Sequence, residues 1–236
     1  MNNLAAHLVR VSARDAGRAQ SPRRRPARAA SPPPPLLAQL TNLTAGMRFE
    51  GPLNVDLNEI SSCLVPFPRM HLLQSSLAPL FASPDAAASY GQSRVVDAMF
   101  AAAFAPGAQL LRGDPHAAVH LACGLLARGD VPLSDVTRNV GRLRRELRMA
   151  AWNPDGFKVG ICAARALHAP QALLALSNNT AAAATLRAAR ARCARLRRVG
   201  AHLHHYAEYM DLAGFDEADE ALADVIGAYE EVAREG

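Results

Sequence analysis

Hydrophobic periodicity is missing from residues 10–35 and present in nearly everything after Leu36, and this break decides how much of the chain can fold. Residues 12–35 read SARDAGRAQSPRRRPARAASPPPP. Such a stretch has too little apolar surface to offset the entropy of ordering its backbone, so it is expected to be disordered, with polyproline II at Pro32–Pro35. Residues 1–35 carry seven arginines (10, 14, 18, 23, 24, 25 and 28) against Asp15, a local charge of +6. The whole chain of 236 residues carries +5, which leaves −1 for residues 36–236. The basic character belongs to an arm and not to the body, and whole-chain charge is no argument for nucleic-acid binding. No aromatic residue interleaves in the arm to stack on bases.

From Leu36 onward the pattern is globular. Asn54–Leu64 reads as a helix that stops before Pro66 and Pro68. Met70–Leu77 reads as a short strand and Ser83–Ser93 as a loop. Arg94–Phe104 has helical spacing. Ala117–Ala127 is a mostly apolar run suited to a buried strand. Ser134–Leu147 reads as an amphipathic helix with Ser134 as N-cap. Phe157–Ala163 and Ala172–Leu176 read as strands. Thr180–Tyr209 reads as one long helix rich in arginine, and Asp216–Arg234 as an acidic helix that packs beside it with charges flanking an apolar seam. The fold class is α+β: a mixed sheet with helices, followed by two C-terminal helices. No apolar run reaches the ~18–20 residues of a helical membrane span, and residues 1–17 hold no secretory signal. The four cysteines, at 63, 123, 162 and 193, form no CxxC pair and are expected to be reduced cytosolic thiols. Lys158 is the only lysine; every other basic residue is arginine.

No glycine-rich phosphate loop of either common spacing occurs. His202, His204 and His205 cluster, but only His202 and His205 share a helical face and no third ligand stands at metal spacing, so they are expected to bind no metal. Gly51–Glu59 (GPLNVDLNE) places Asp56 and Glu59 three residues apart at a loop-to-helix junction. Two readings fit that spacing. Asp56 as N-cap and Glu59 at N3 make a capping box; alternatively the two carboxylates polarise or deprotonate a water.

The segments RFEGPLNVDLNEI (48–60) and LVPFPRMH (64–71) resemble the tubulin superfamily. Asn42–Thr44, Asp56–Ser61, Ser75–Leu80, Leu173–Thr180 and Ala201–Tyr206 resemble its epsilon class in particular. The likeness runs in order from Leu40 to the C-terminus and touches Met1–Leu8. It implies a remnant of a central helix plus an Arg/Pro-rich insert over 1–39, a tubulin-like intermediate domain over 40–178, and over 179–236 the C-terminal helical hairpin on which partners run. It also implies a C-terminal fragment without the GTP-binding domain, so that no autonomous activity is expected. Asn2 matches a guanine-contacting position. Asp56 and Glu59 match an acidic pattern that reaches into the next subunit's GTP pocket and promotes hydrolysis there. Implied partners are other tubulin subunits or centriolar proteins, in the cytoplasm at microtubules, the centriole and the basal body, with no membrane and nucleic acid disfavoured. Ala163–Ala166 stands where the family carries a proline-bearing turn. Deleting the 31 residues Val9–Gln39 joins Leu8 to Leu40 in one helix register, so this segment is expected to be a retained intron or, failing that, a family-unlike insertion. The rival reading for the whole chain is a helical interaction module whose basic arm binds nucleic acid or an acidic partner.

Overall fold

In the computed structural model, the described residues are 35–79, 92–111, 113–166 and 169–235. Asn2, nearly all of the 1–39 segment and most of the expected loop at Ser83–Ser93 lie outside them. In chain order the helices are α1 (Pro35–Leu43), α2 (Ala45–Arg48), α3 (Leu57–Leu64), α4 (Gln92–Ala103), α5 (Leu133–Glu146), α6 (Ala182–Arg198), α7 (Leu203–Ala207) and α8 (Gly214–Glu235). The strands are β1 (Leu73–Ala78), β2 (Val119–Gly129), β3 (Arg148–Met149), β4 (Phe157–Cys162) and β5 (Gln171–Asn179).

The apolar run around residue 120 is the centre of the sheet. β2 pairs antiparallel with β5 on one edge and parallel with β3 and then β4 on the other, and β1 closes the far side antiparallel to β5. Period-2 alternation sends Cys123, Leu125 and Ala127 to one face, under Val96, Phe100 and Phe104 of the α4 region and Val136 and Leu143 of α5. Ala122 faces the opposite way, with Leu174, Leu176 and Leu77, under Ala38 of α1 and Ile60 and Leu64 of α3. All nine residues of β5 are buried. Strands covered on both faces read as unbroken apolar runs, which is why β2 and β5 are legible in the sequence.

Several boundaries differ from expectation. α1 starts at Pro35, with Ala38 and Gln39 buried and Gln39 Oε1 accepting from Ser75 Oγ at 2.7 Å. Pro35 at the first helical position has the fixed φ a helix start requires. α5 is capped at Pro132 and not at Ser134, which falls inside the first turn and makes no cap bond. The long helix expected over Thr180–Tyr209 stops at Arg198. Gly200 (φ 66°) and His202 (φ 63°) take left-handed backbone, and α7 begins after them as a separate helix. The basic and acidic helices do pack antiparallel. Arg187 meets Glu230 at 2.8 Å, Arg190 grips Asp219 bidentately at 2.7–2.8 Å, and Arg197 pairs with Asp216. These pairs are solvent-exposed and contribute little each; Tyr229, Val232 and Ala182 beneath them supply the buried apolar contact.

The hairpin is tied to the sheet by a buried polar network at the end of β5. Asn178 Nδ2 donates to Leu64 O at 2.9 Å and Met70 O at 2.7 Å, and its Oδ1 accepts from Tyr229 Oη at 3.1 Å. Tyr229 Oη in turn accepts from Leu72 N–H at 3.2 Å. One asparagine thus joins the exit of α3, the entry to β1 and the face of α8.

His120, fully buried in β2, has Nε2 at 2.7 Å from Pro115 O and Nδ1 at 3.3 Å from Cys123 Sγ. A carbonyl only accepts, so Nε2 carries the proton and the thiol donates to Nδ1. Burial pushes the Cys123 thiol up to about 12, which keeps it from acting as a nucleophile. Burial likewise holds His120 below the ordinary histidine value. The unfolded chain therefore binds a proton here that the folded chain resists. Stability from this site is complete above pH ~6.5 and falls as the pH drops from there toward the lowered folded value. Thermal melts between pH ~7.5 and ~5 should show the loss, and it should shrink in His120→Gln.

Candidate active site

The loop between α2 and α3 is held against β4 by close backbone packing. A Cβ on Gly51 would stand 2.2 Å from Ile161 O, and Leu53 exchanges two backbone bonds with Ile161 (N–H to O, 3.4 and 2.8 Å). Val55 is buried against Gly160, where a side chain would meet Val55 and Leu126 at 2.8 Å. Gly51→Ala should therefore push the loop off β4 and cost about 1–3 kcal/mol, as overpacking does. Chemical denaturation measures the cost, and amide exchange at Leu53 and Ile161 reports the displacement.

The loop ends at Asp56, extended at φ −85°, ψ 156°, as the N-cap of α3. Its Oδ1 accepts from Leu57 N–H at 2.6 Å, and Asn58 Nδ2 lies 3.4 Å from Oδ2. Glu59, in the first helical turn, reaches across to β4 and pairs with Lys158. The hydrogen bond from the Lys158 ammonium is the largest cause holding the Glu59 carboxyl below its usual range, and a weaker contribution comes from the Asp56 backbone N–H. The same bond raises Lys158. Asp56 caps α3 through the Leu57 N–H and not through that of Glu59, so the reciprocal capping box is incomplete, and the two carboxylates do not form one pair: Asp56 faces the helix start and Glu59 faces Lys158. Glu59 remains partly open to solvent, with 43% of its side chain exposed. It can accept a proton from a bound water while its charge is stabilised from the inner side.

Sequence reasoning missed Lys158; its one signal was being the sole lysine. It also missed an exposed aromatic pair between the α3–β1 connection and the β3–β4 turn, where Phe67 and Trp152 meet edge-on at 5.5 Å. No three His, Cys, Asp or Glu side chains converge as metal ligands among the described residues. The His202 ring lies nearly parallel to that of His205 at 6.2 Å, and the His204 ring is tilted against His205 at 3.9 Å. No described helix is long and apolar enough to cross a membrane.

Four of the described helix starts are poorly suited to holding a phosphate. Helix N-termini bind phosphate through free N–H groups, but α3 is capped by Asp56, and α5 and α8 open on Asp135 and on Asp216 with Glu217. The start of α6 is closed by buried Ala182 and Ala183.

A family model described as the tubulin C-terminal domain matches residues 68–190. The tubulin epsilon chain of Homo sapiens is 44% identical over 195 residues, which cover 82% of this chain and 40% of that protein. The tubulin epsilon chain of Mus musculus is 42% identical over the same shares. The tubulin alpha-1B chain of Schizophyllum commune is 36% identical over 209 residues, 84% of this chain and 46% of that one. The chain thus spans less than half the length of these relatives.

Proposed function

Because the chain belongs to the tubulin family, we propose that it supplies the surface by which an epsilon-type cytoskeletal subunit docks on a neighbouring tubulin-family subunit and completes hydrolysis of the GTP that neighbour holds. The observation that carries this is the position of Glu59: ionised, partly open, and backed by Lys158 at the start of a capped helix. The exposed Phe67–Trp152 pair adds apolar area suited to a contact surface. In this reading Glu59 takes a proton from a water that attacks the γ-phosphorus of the neighbour's GTP. The bond from the bridging oxygen to that phosphorus breaks, releasing phosphate and leaving GDP. Asp56 acts through the helix it caps and is a positioning residue. The cellular setting in this reading is the microtubule cytoskeleton, which the likeness to tubulin chains supports, and the centriole and basal body are part of the proposal.

The test adds this chain to GTP-loaded tubulin dimers and follows phosphate release together with co-sedimentation. Faster release with the wild-type chain is expected. Association without any change in release would remove the catalytic part of the reading, and no association would remove the whole.

A further inference from the structure

The loop that carries Asp56 leaves α2 beside a buried arginine. Arg128, near the end of β2, is only 6% exposed. Its Nε donates to Ala164 O at 2.9 Å and its Nη2 to Arg165 O at 3.0 Å. The guanidinium lies 5.3 Å from the centre of the Phe49 ring, and the Arg48 guanidinium lies 5.1 Å from the same ring. The third nitrogen, Nη1, is buried and makes no hydrogen bond. Asn42 of α1 is 4% exposed; its Nδ2 donates to Ala38 O at 2.8 Å and its Oδ1 is likewise buried and unbonded.

These two side chains line one small cavity of about 20 Å³, walled by Ala45, Gly46, Val55 and Cys162. The residues lining it thus include one with an unused donor and one with an unused acceptor. A cavity holds a water once it offers ~10–15 Å³ to a water-sized probe, so this one admits a single water and nothing larger. A small anion would satisfy Arg128 but would face the carbonyl oxygen of Asn42, which repels it. Water alone among candidates of that size accepts from one group and donates to the other.

We propose that one buried water accepts a hydrogen bond from Arg128 Nη1 and donates one to Asn42 Oδ1, joining α1 to the end of β2. The bridge also has a positioning role. With the Phe49 ring against Arg128, the chain is pinned at α1 and again just past α2, so the segment Phe49–Asp56 leaves in one direction toward β4. This site is independent of the hydrolytic reading of Glu59 and would stand if that reading failed.

The experiment is a crystal structure of the full chain at a resolution that shows ordered waters, for the wild type, for Asn42→Leu and for a bromide-soaked wild-type crystal. It is paired with amide exchange across Phe49–Asp56 in the wild type, Asn42→Leu and Arg128→Met. One density peak within hydrogen-bonding distance of both Arg128 Nη1 and Asn42 Oδ1 is expected in the wild type, gone in Asn42→Leu and without bromide signal. Exchange across Phe49–Asp56 should quicken about tenfold in either variant. If Arg128→Met does not fold, Asn42→Leu carries the comparison alone, because its change of volume is small. A cavity without density, a direct bond between the two side chains, a bromide peak, or exchange that neither variant alters would each overturn the proposal.

Discussion

Asn178→Leu should remove roughly 3–9 kcal/mol, a large share of the ~5–15 kcal/mol that holds an ordinary domain folded. The size follows from what the change strands. Asn178 is fully buried and uses both of its amide hydrogens and its oxygen, on Leu64 O, Met70 O and Tyr229 Oη. Leucine fills a similar volume, so packing is nearly kept, but three polar groups lose a partner in a site that excludes water. Each such group costs about 1–3 kcal/mol. Tyr229→Phe is the variant to set beside it. It deletes one hydroxyl, leaves Asn178 Oδ1 and Leu72 N–H unpaired, and should cost about 2–3 kcal/mol. Urea unfolding of both variants and the double variant tests this. A loss below ~1 kcal/mol for Asn178→Leu would mean that α8 is not anchored through this network.

The second large effect concerns turnover. Glu59→Gln keeps the shape and the hydrogen bond to Lys158 but cannot take a proton. It should lower the phosphate release stimulated on the neighbouring subunit by about 10²–10⁴-fold while leaving co-sedimentation unchanged. Lys158→Met separates chemistry from structure by another route. Lys158 holds the Glu59 carboxyl below its ordinary value, so the base stays ionised into mildly acidic solution. Without the ammonium that value rises, and the acid limb of the pH–rate profile should move to higher pH while the plateau above it persists. An unshifted limb would show that Glu59 is not the titrating base. Asp56→Ala should act on the helix, costing about 1 kcal/mol through the lost cap, with a smaller effect on rate.

The sequence made some of these features readable and hid others for physical reasons. β2 and β5 were legible because burial on both faces leaves an uninterrupted apolar signature, and the charge pattern of α6 and α8 showed that they would pack side by side. The break between α6 and α7 was not legible from spacing. Val199, Leu203, Tyr206 and Met210 keep helical spacing across it, and only Gly200 hinted at a left-handed residue that His202 then repeats. β3 is two residues long and owes its existence to β2, so no local pattern marks it. At the candidate site, Asp56 and the capping role were written in local spacing. The partner of Glu59 lies 99 residues later, and nothing near either residue announces a pairing made by tertiary structure.

The strand order has a consequence for how the chain is made. β1 forms its ladder with β5, whose first paired residue lies about 100 positions later, and β5 also closes the open edge of β2. At ~5–20 residues per second, a ribosome delivers β5 roughly 5–20 s after β1. Through that interval β1 and one side of β2 present unpaired edges rich in leucine and alanine, the kind of template that captures other chains. The final strand of the sheet therefore governs birth as well as architecture: until Asn179 has emerged, the nascent chain depends on slow collisions or on a chaperone to keep its half-built sheet to itself.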